Sequence, residues 1–116
     1  MSLPEQAVLD DVTRIAGVRS ALLVSANDGL VVAESALEGQ ETGAVAALAG
    51  HLARRLGGLT RALAHPDLNL VLLQATGGQL FIIFGGTGLL LVALTDADVN
   101  IGQVRLGLLD AAGRLN

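Results

Sequence analysis

The sequence predicts an α+β fold: a five-stranded antiparallel sheet with helices on both faces, in the order α-β-β-α-β-β-β-α. Three observations carry this. Glycine clusters cut the long apolar stretch 68–95 into pieces of strand length. Most of the resulting strands are apolar at both parities, so both faces of the sheet need cover. Three other segments keep the 3.6-residue apolar period of helices. With 116 residues, 52% of them apolar, the chain reads as one domain, 1–116, able to bury a core without disulfides or metal.

Taken in order, 5–16 carries Val8, Val12 and Ile15 as one stripe of a short helix, and Gly17 is placed to end it. The stretch "VRSALLVS" (18–25) reads as a strand, "ANDG" (26–29) as a turn and "LVVAE" (30–34) as a second strand. Asp28-Gly29 between apolar runs is a short-range hairpin signal. From about Gln40 to Ala64 the period is helical. Val45, Leu48, Leu52, Leu56, Leu59 and Leu63 form the stripe expected to pack on the sheet. Beside it lies a face of small residues, Ala46, Ala49, Gly50, Ala53 and Gly57, which suggests close approach of a second helix. Weak selection in a GC-rich gene is the plainer account of the same residues. Gln40, His51, Arg54, Arg55 and Arg61 make the wet face.

Between Asp67 and Asp96 lie 28 residues without a charge, long enough to span a bilayer. The breaks at Thr76-Gly77-Gly78-Gln79 and Gly85-Gly86-Thr87-Gly88, the amides of Asn69, Gln74 and Gln79, and the lack of a cationic flank argue for a meander instead: 68–75, 79–85 and 89–95. No Lys follows any of these glycines, so a phosphate-binding loop fails as well. Asn100 is placed as the N-cap of a last helix whose inward stripe is Ile101, Val104, Leu108 and Leu115. The strand 68–75 is read as a sheet edge with no Pro or Lys to deter pairing. Pairing with its own copy about a two-fold would bring the small-residue helix faces together as well. The expected dimer interface is therefore Ala46, Ala49, Gly50, Ala53, Gly57, Leu70 and Leu72.

Composition narrows the function. The net charge is −4, from 11 acidic and 7 basic residues, which disfavours nucleic acid as a partner. Phe81 and Phe84 are the only aromatics; every basic residue is Arg; Cys is absent. Schiff-base, thiol and Cys-metal chemistry are thereby removed. His51 and His65 have no acidic ligand partner at helical spacing, and Ser20, Ser25 and Ser35 lack a nucleophile elbow. Asp96 and Asp98 read as helix-start charges rather than an acid/base pair. No catalytic residue, cofactor site or metal site is expected. The acidic N-terminus "MSLPEQAVLDDV" lacks a leader pattern, so a cytoplasmic location is the default.

The stretches "GVRSALLVSANDGLVVAES" (17–35), "GQLFIIFGGTGLLLVAL" (78–94) and "VNIGQVRLGLLDAA" (99–112) resemble the Roadblock / dynein light-chain family, in particular its bacterial MglB-type members, which work with small Ras-like GTPases. The resemblance runs from about Leu9 to Leu115. It implies a homodimer with a sheet continuous across the two-fold, no cofactor, and regulation of a GTPase without a donated catalytic residue. On that basis His51, Arg54, Arg55 and Arg61 are candidates for docking a GTPase. Solvation is the ordinary role of such a face, and an arginine finger is the sharper alternative. A structural dimerising adaptor is the competing function.

Overall fold

A computed structural model of the chain describes residues 4–25, 28, 30–36, 43–45, 47–49, 51–52, 55, 70–84 and 88–115. Helix α1 spans Pro4–Thr13, followed by strands β1 (Val18–Ser25) and β2 (Val31–Ala36). Helix α2 is represented by the helical residues 43–45, 47–49, 51–52 and 55. Strands β3 (Leu70–Ala75), β4 (Gly78–Phe84) and β5 (Leu89–Thr95) come next, and helix α3 (Ile101–Leu115) closes the order. The uncharged stretch is thus a three-strand meander, and among the described residues no helix is long and apolar enough to cross a membrane.

The strands lie in the order β2-β1-β5-β4-β3, and every neighbouring pair is antiparallel. Successive side chains in the three inner strands enter two different apolar layers. In one, Ala21 and Leu23 of β1, Phe81 and Ile83 of β4, and Leu91 and Ala93 of β5 meet Val8, Leu9 and Val12 of α1 and Val104, Leu108 and Ala111 of α3. In the other, Leu22, Val24, Leu80, Ile82, Leu90 and Val92 meet Val45, Ala49 and Leu52 of α2. Phe81 is fully buried, and truncation of such a side chain to Ala costs about 3–5 kcal/mol.

Several boundaries move from their sequence positions for local reasons. Helix α1 stops at Thr13, short of Gly17, because its last turn tightens into i→i+3 bonds from Arg14 N to Asp11 O and from Ile15 N to Val12 O. Gly17 lies in the turn that follows, at φ +89°, and its carbonyl accepts from Asp96 N at 2.8 Å. Strand β2 begins one residue late and runs on to Ala36, because Ser35 and Ala36 find partners in Ala21 and Ser20 of β1. The expected N-cap is present: Asn100 Oδ1 accepts from Gln103 N at 3.0 Å.

Three contacts fix α1 to its neighbours. Gln6 Nε2 donates to the Glu34 carbonyl of β2 at 3.0 Å, and the Thr13 and Ser35 hydroxyls lie 3.1 Å apart. Asp11 accepts from Arg14 Nη1 at 2.9 Å and from Arg114 Nη1 of α3 at 3.0 Å. The Asp11 hydrogen bond raises the Arg114 guanidinium pKa; desolvation opposes it, and attraction to Asp110 and Asp11 adds to it. That guanidinium therefore stays charged wherever the chain is folded.

A Cβ at Gly78 would lie 2.6 Å from the Thr95 carbonyl oxygen, and one at Gly17 would sit at left-handed φ against Val99 Cγ2, also at 2.6 Å. Gly78→Ala and Gly17→Ala are each expected to destabilise the fold by about 1–3 kcal/mol in urea unfolding. Unchanged midpoints would show that β5 and the 96–100 connection yield at no cost.

Candidate functional site

The two sheet margins are built differently. In β3 the register runs unbroken from Leu70↔Ile83 to Ala75↔Gly78 against β4, and among the described residues no strand pairs on its other side. The strand "LVLLQA" carries no charge and no Pro. Leu70 and Leu72 pack against the α1–α3 layer and Val71 against the α2 layer. Leu73, which shares Val71's face, is 40% exposed. This departs from the expectation that both faces of 68–75 are covered: β3 lies at the margin, and among the described residues Leu73 is left open there.

Margin β2 is guarded. Its pairing with β1 shifts between Leu23 and Val24, which leaves Val32 without an opposite residue, a β-bulge. The Gln6 amide takes the Glu34 carbonyl, and Glu34 adds a charge. A bulge and a charge are devices that deter strand addition, and β3 has neither.

Along α2, Val45, Ala49 and Leu52 point into the core at i, i+4 and i+7. Two expectations are corrected by that rotation. Ala49, assigned to a face for a second helix, is fully buried in its own chain. Leu48, assigned to the core stripe, is 50% exposed. The small Cβ of Ala49 lets α2 sit close to the Leu22–Val92 layer, and this turns Leu48 toward the sheet margin. There Val45 and Leu48 join Leu73, Ala75, Leu80 and Leu94 around an apolar cleft of about 340 Å³. His51 and Arg55 are exposed on α2. Ala46, Gly50, Ala53 and Gly57 of the expected interface, and Arg54 and Arg61 of the expected docking face, lie outside the described residues, as do Leu56, Leu59 and Leu63 of the expected core stripe.

The structure thus brings Leu48 and Leu73 together where sequence reasoning had not placed them. Leu73 lies in the strand the sequence leaves unguarded, although the expected interface took Leu70 and Leu72 from it. Leu48 was hidden, because a stripe of leucines spaced by three and four does not say which flank of the stripe the sheet accepts.

The polar groups nearby are committed to structure. The register shift between β1 and β5 leaves Arg19 without an opposite residue, and its Nε donates to Asp96 Oδ1 at 2.6 Å. Asp96 is therefore half of an ion pair. Gln79 Nε2 donates to the Ala97 carbonyl at 2.8 Å, tying β4 to the turn before α3. The Ser20 hydroxyl is buried and finds no hydrogen-bond partner among the described residues. Among the described residues no group of three or more His, Asp or Glu is arranged to hold a metal.

The corrected position of Ala49 has a direct consequence. Ala49→Leu should overpack the α2–sheet layer and lower unfolding stability by about 1–3 kcal/mol at every protein concentration. A variant of wild-type stability that only changes self-association would return Ala49 to the outer face.

Comparison with known proteins follows the same lines. An uncharacterised protein of Methanocaldococcus jannaschii, MJ0714, is 30% identical over 111 residues, covering 93% of this chain and 90% of the relative. The fold is shared with Myxococcus xanthus MglB at a TM-score of 0.86 and 23% identity, over 96% of this chain and 90% of that one. The gliding protein MglB of Thermus thermophilus gives 0.86 at 24%, over 99% and 90%. An MglB solved in a tetrameric arrangement gives 0.86 at 24%, over 99% and 89%. Residues 5–95 match the Roadblock/LC7 domain. With that match over most of its length, an unguarded β3 margin beside α2 and helices on both faces of the sheet, the chain belongs to the Roadblock/LC7 domain family.

Proposed function

We propose that this chain acts as a homodimeric, non-catalytic regulator of a small Ras-like GTPase. The observation that carries the self-association half is the β3 margin: an uncharged, regular strand with Leu73 and Leu48 exposed beside it. Antiparallel pairing of β3 with its copy satisfies the outer backbone groups of both strands and continues the sheet. Leu73 lies next to the midpoint of the six-residue strand, so it meets its own copy near the two-fold axis. The second chain then closes the cleft over Leu48.

The GTPase half rests on the sequence's resemblance to MglB-type members and on the exposed cationic side of α2. Arg55, with Arg54 and Arg61 in the same stretch of sequence, offers charge that suits an acidic patch on a GTPase, and His51 lies one turn before it. Such a partner acts by holding the GTPase switch loops in one state, so the chemistry stays within the GTPase. The tetrameric arrangement of one MglB favours a second reading, a dimerising scaffold without effect on nucleotide turnover.

Light scattering tests the first half: wild type is expected as a dimer and Leu73→Arg as a monomer. A wild-type monomer at micromolar concentration would overturn the β3 interface. For the second half, Arg55→Ala is expected to weaken binding of the cognate GTPase by roughly two- to tenfold, mostly through slower association. GTP hydrolysis that is unchanged by saturating wild-type protein would favour the scaffold. Absence of binding in either nucleotide state would remove the GTPase altogether.

A further inference from the structure

The turn that ends β3 fixes which of its backbone groups face a second copy. Ala75 and Gly78 are opposite residues across the two-residue turn Thr76-Gly77. The pair that closes so short a hairpin exchanges both backbone hydrogen bonds. Alternation along the strand then turns the amides and carbonyls of Ala75, Leu73 and Val71 toward β4. Those of Gln74, Leu72 and Leu70 point to the open edge. The side chains alternate as well: Leu70 and Leu72 pack on the α1–α3 layer and Val71 on the α2 layer.

Symmetry narrows the register further. Two copies of one strand that run antiparallel in one sheet are related by an axis perpendicular to that sheet, and residues opposite each other project to the same face. The axis therefore passes through a residue, never between two. Centred on Leu72, the pairing sets Leu72 opposite its copy and Leu70 opposite Gln74 on either side. Every outward amide and carbonyl of Leu70–Ala75 then has a partner. Within the same six residues, an axis at Leu73 leaves Leu70 unpaired, and an axis at Val71 leaves Gln74 unpaired. The Leu72 centre also keeps the Gln74 amide, which reaches Gln79 Oε1 at 3.4 Å, two residues from the axis instead of one.

Within the proposed homodimer, on which this rests, we infer that β3 meets its copy in the register that puts Leu72 on the two-fold axis. Val71 of the partner subunit then lies opposite the exposed Leu73 and supplies a wall that the apolar cleft lacks in one chain. Each cleft is lined by both chains, and neither chain completes it alone. On the other face of the sheet Leu72 packs against its own copy.

The chain has no cysteine, so introduced thiols report the pairing without background. In this register Val71 and Leu73 of the partner subunit form a non-hydrogen-bonded pair with Cα atoms about 4.5 Å apart, within the span of a disulfide. Full-length chains carrying Val71→Cys and Leu73→Cys, on different tags, are co-expressed, purified as the mixed assembly and mildly oxidised. The mixed assembly is expected to cross-link at least about tenfold faster than either variant alone. Leu70→Cys with Gln74→Cys, opposite at about 5.5 Å, should give the same result without touching Val71. Cross-linking of Leu73→Cys alone at the mixed rate would move the axis to Leu73, and of Val71→Cys alone to Val71. Either would overturn the register while leaving the homodimer in place. No cross-link in any combination, with the wild type a dimer by light scattering, would overturn pairing through β3 and the register with it. A wild-type monomer would remove the homodimer itself.

Discussion

The side chains of β1, β4 and β5 alternate between two apolar layers, so neither face of the inner sheet can meet water without exposing Leu, Ile, Val or Phe. That constraint sets the rest of the architecture. It calls for helices on both sides, and α1 with α3 cover one face while α2 covers the other. It also goes with close approaches: the Thr95 carbonyl of β5 leaves no room for a Cβ at Gly78 of β4, and the small Ala49 side chain lets α2 sit close on the sheet.

Among the described residues this cover is thinner at the two margins. At β2 the chain supplies its own protection, through a bulge, a charged residue and a glutamine from α1. At β3 the described residues supply none, and Leu48 and Leu73 lie open beside Leu80 and Leu94. The two margins therefore differ in how regular a strand edge they present. The difference comes from backbone register together with the charge at Glu34, which β3 lacks.

Charge plays a lesser, orienting part. Arg19 pairs with Asp96 because a register shift turns it out of the β1–β5 ladder, and Asp11 is shared by Arg14 and Arg114 because α1 and α3 lie side by side. All of these pairs keep substantial contact with solvent, where ion pairs hold geometry more than they add stability. They fix the ends of α1 and α3.

The order of elements, the meander at 68–95, the Asn100 cap and the family itself were legible in the sequence, because strand alternation, helical period and turn glycines are local signals. Strand 18–25 and strand 89–95 could be bounded to the residue for the same reason. The rotation of α2 was not legible: leucines at three- and four-residue spacing mark a stripe, but Ala49 enters the core and Leu48 leaves it only when the helix settles on a particular sheet. Nor could the sequence show the bulge at Val32, because it is a relation between β1 and β2 that neither strand contains alone. Local period and composition thus determined what kind of molecule this is, and long-range register and helix rotation decided which of its apolar residues were left for a partner.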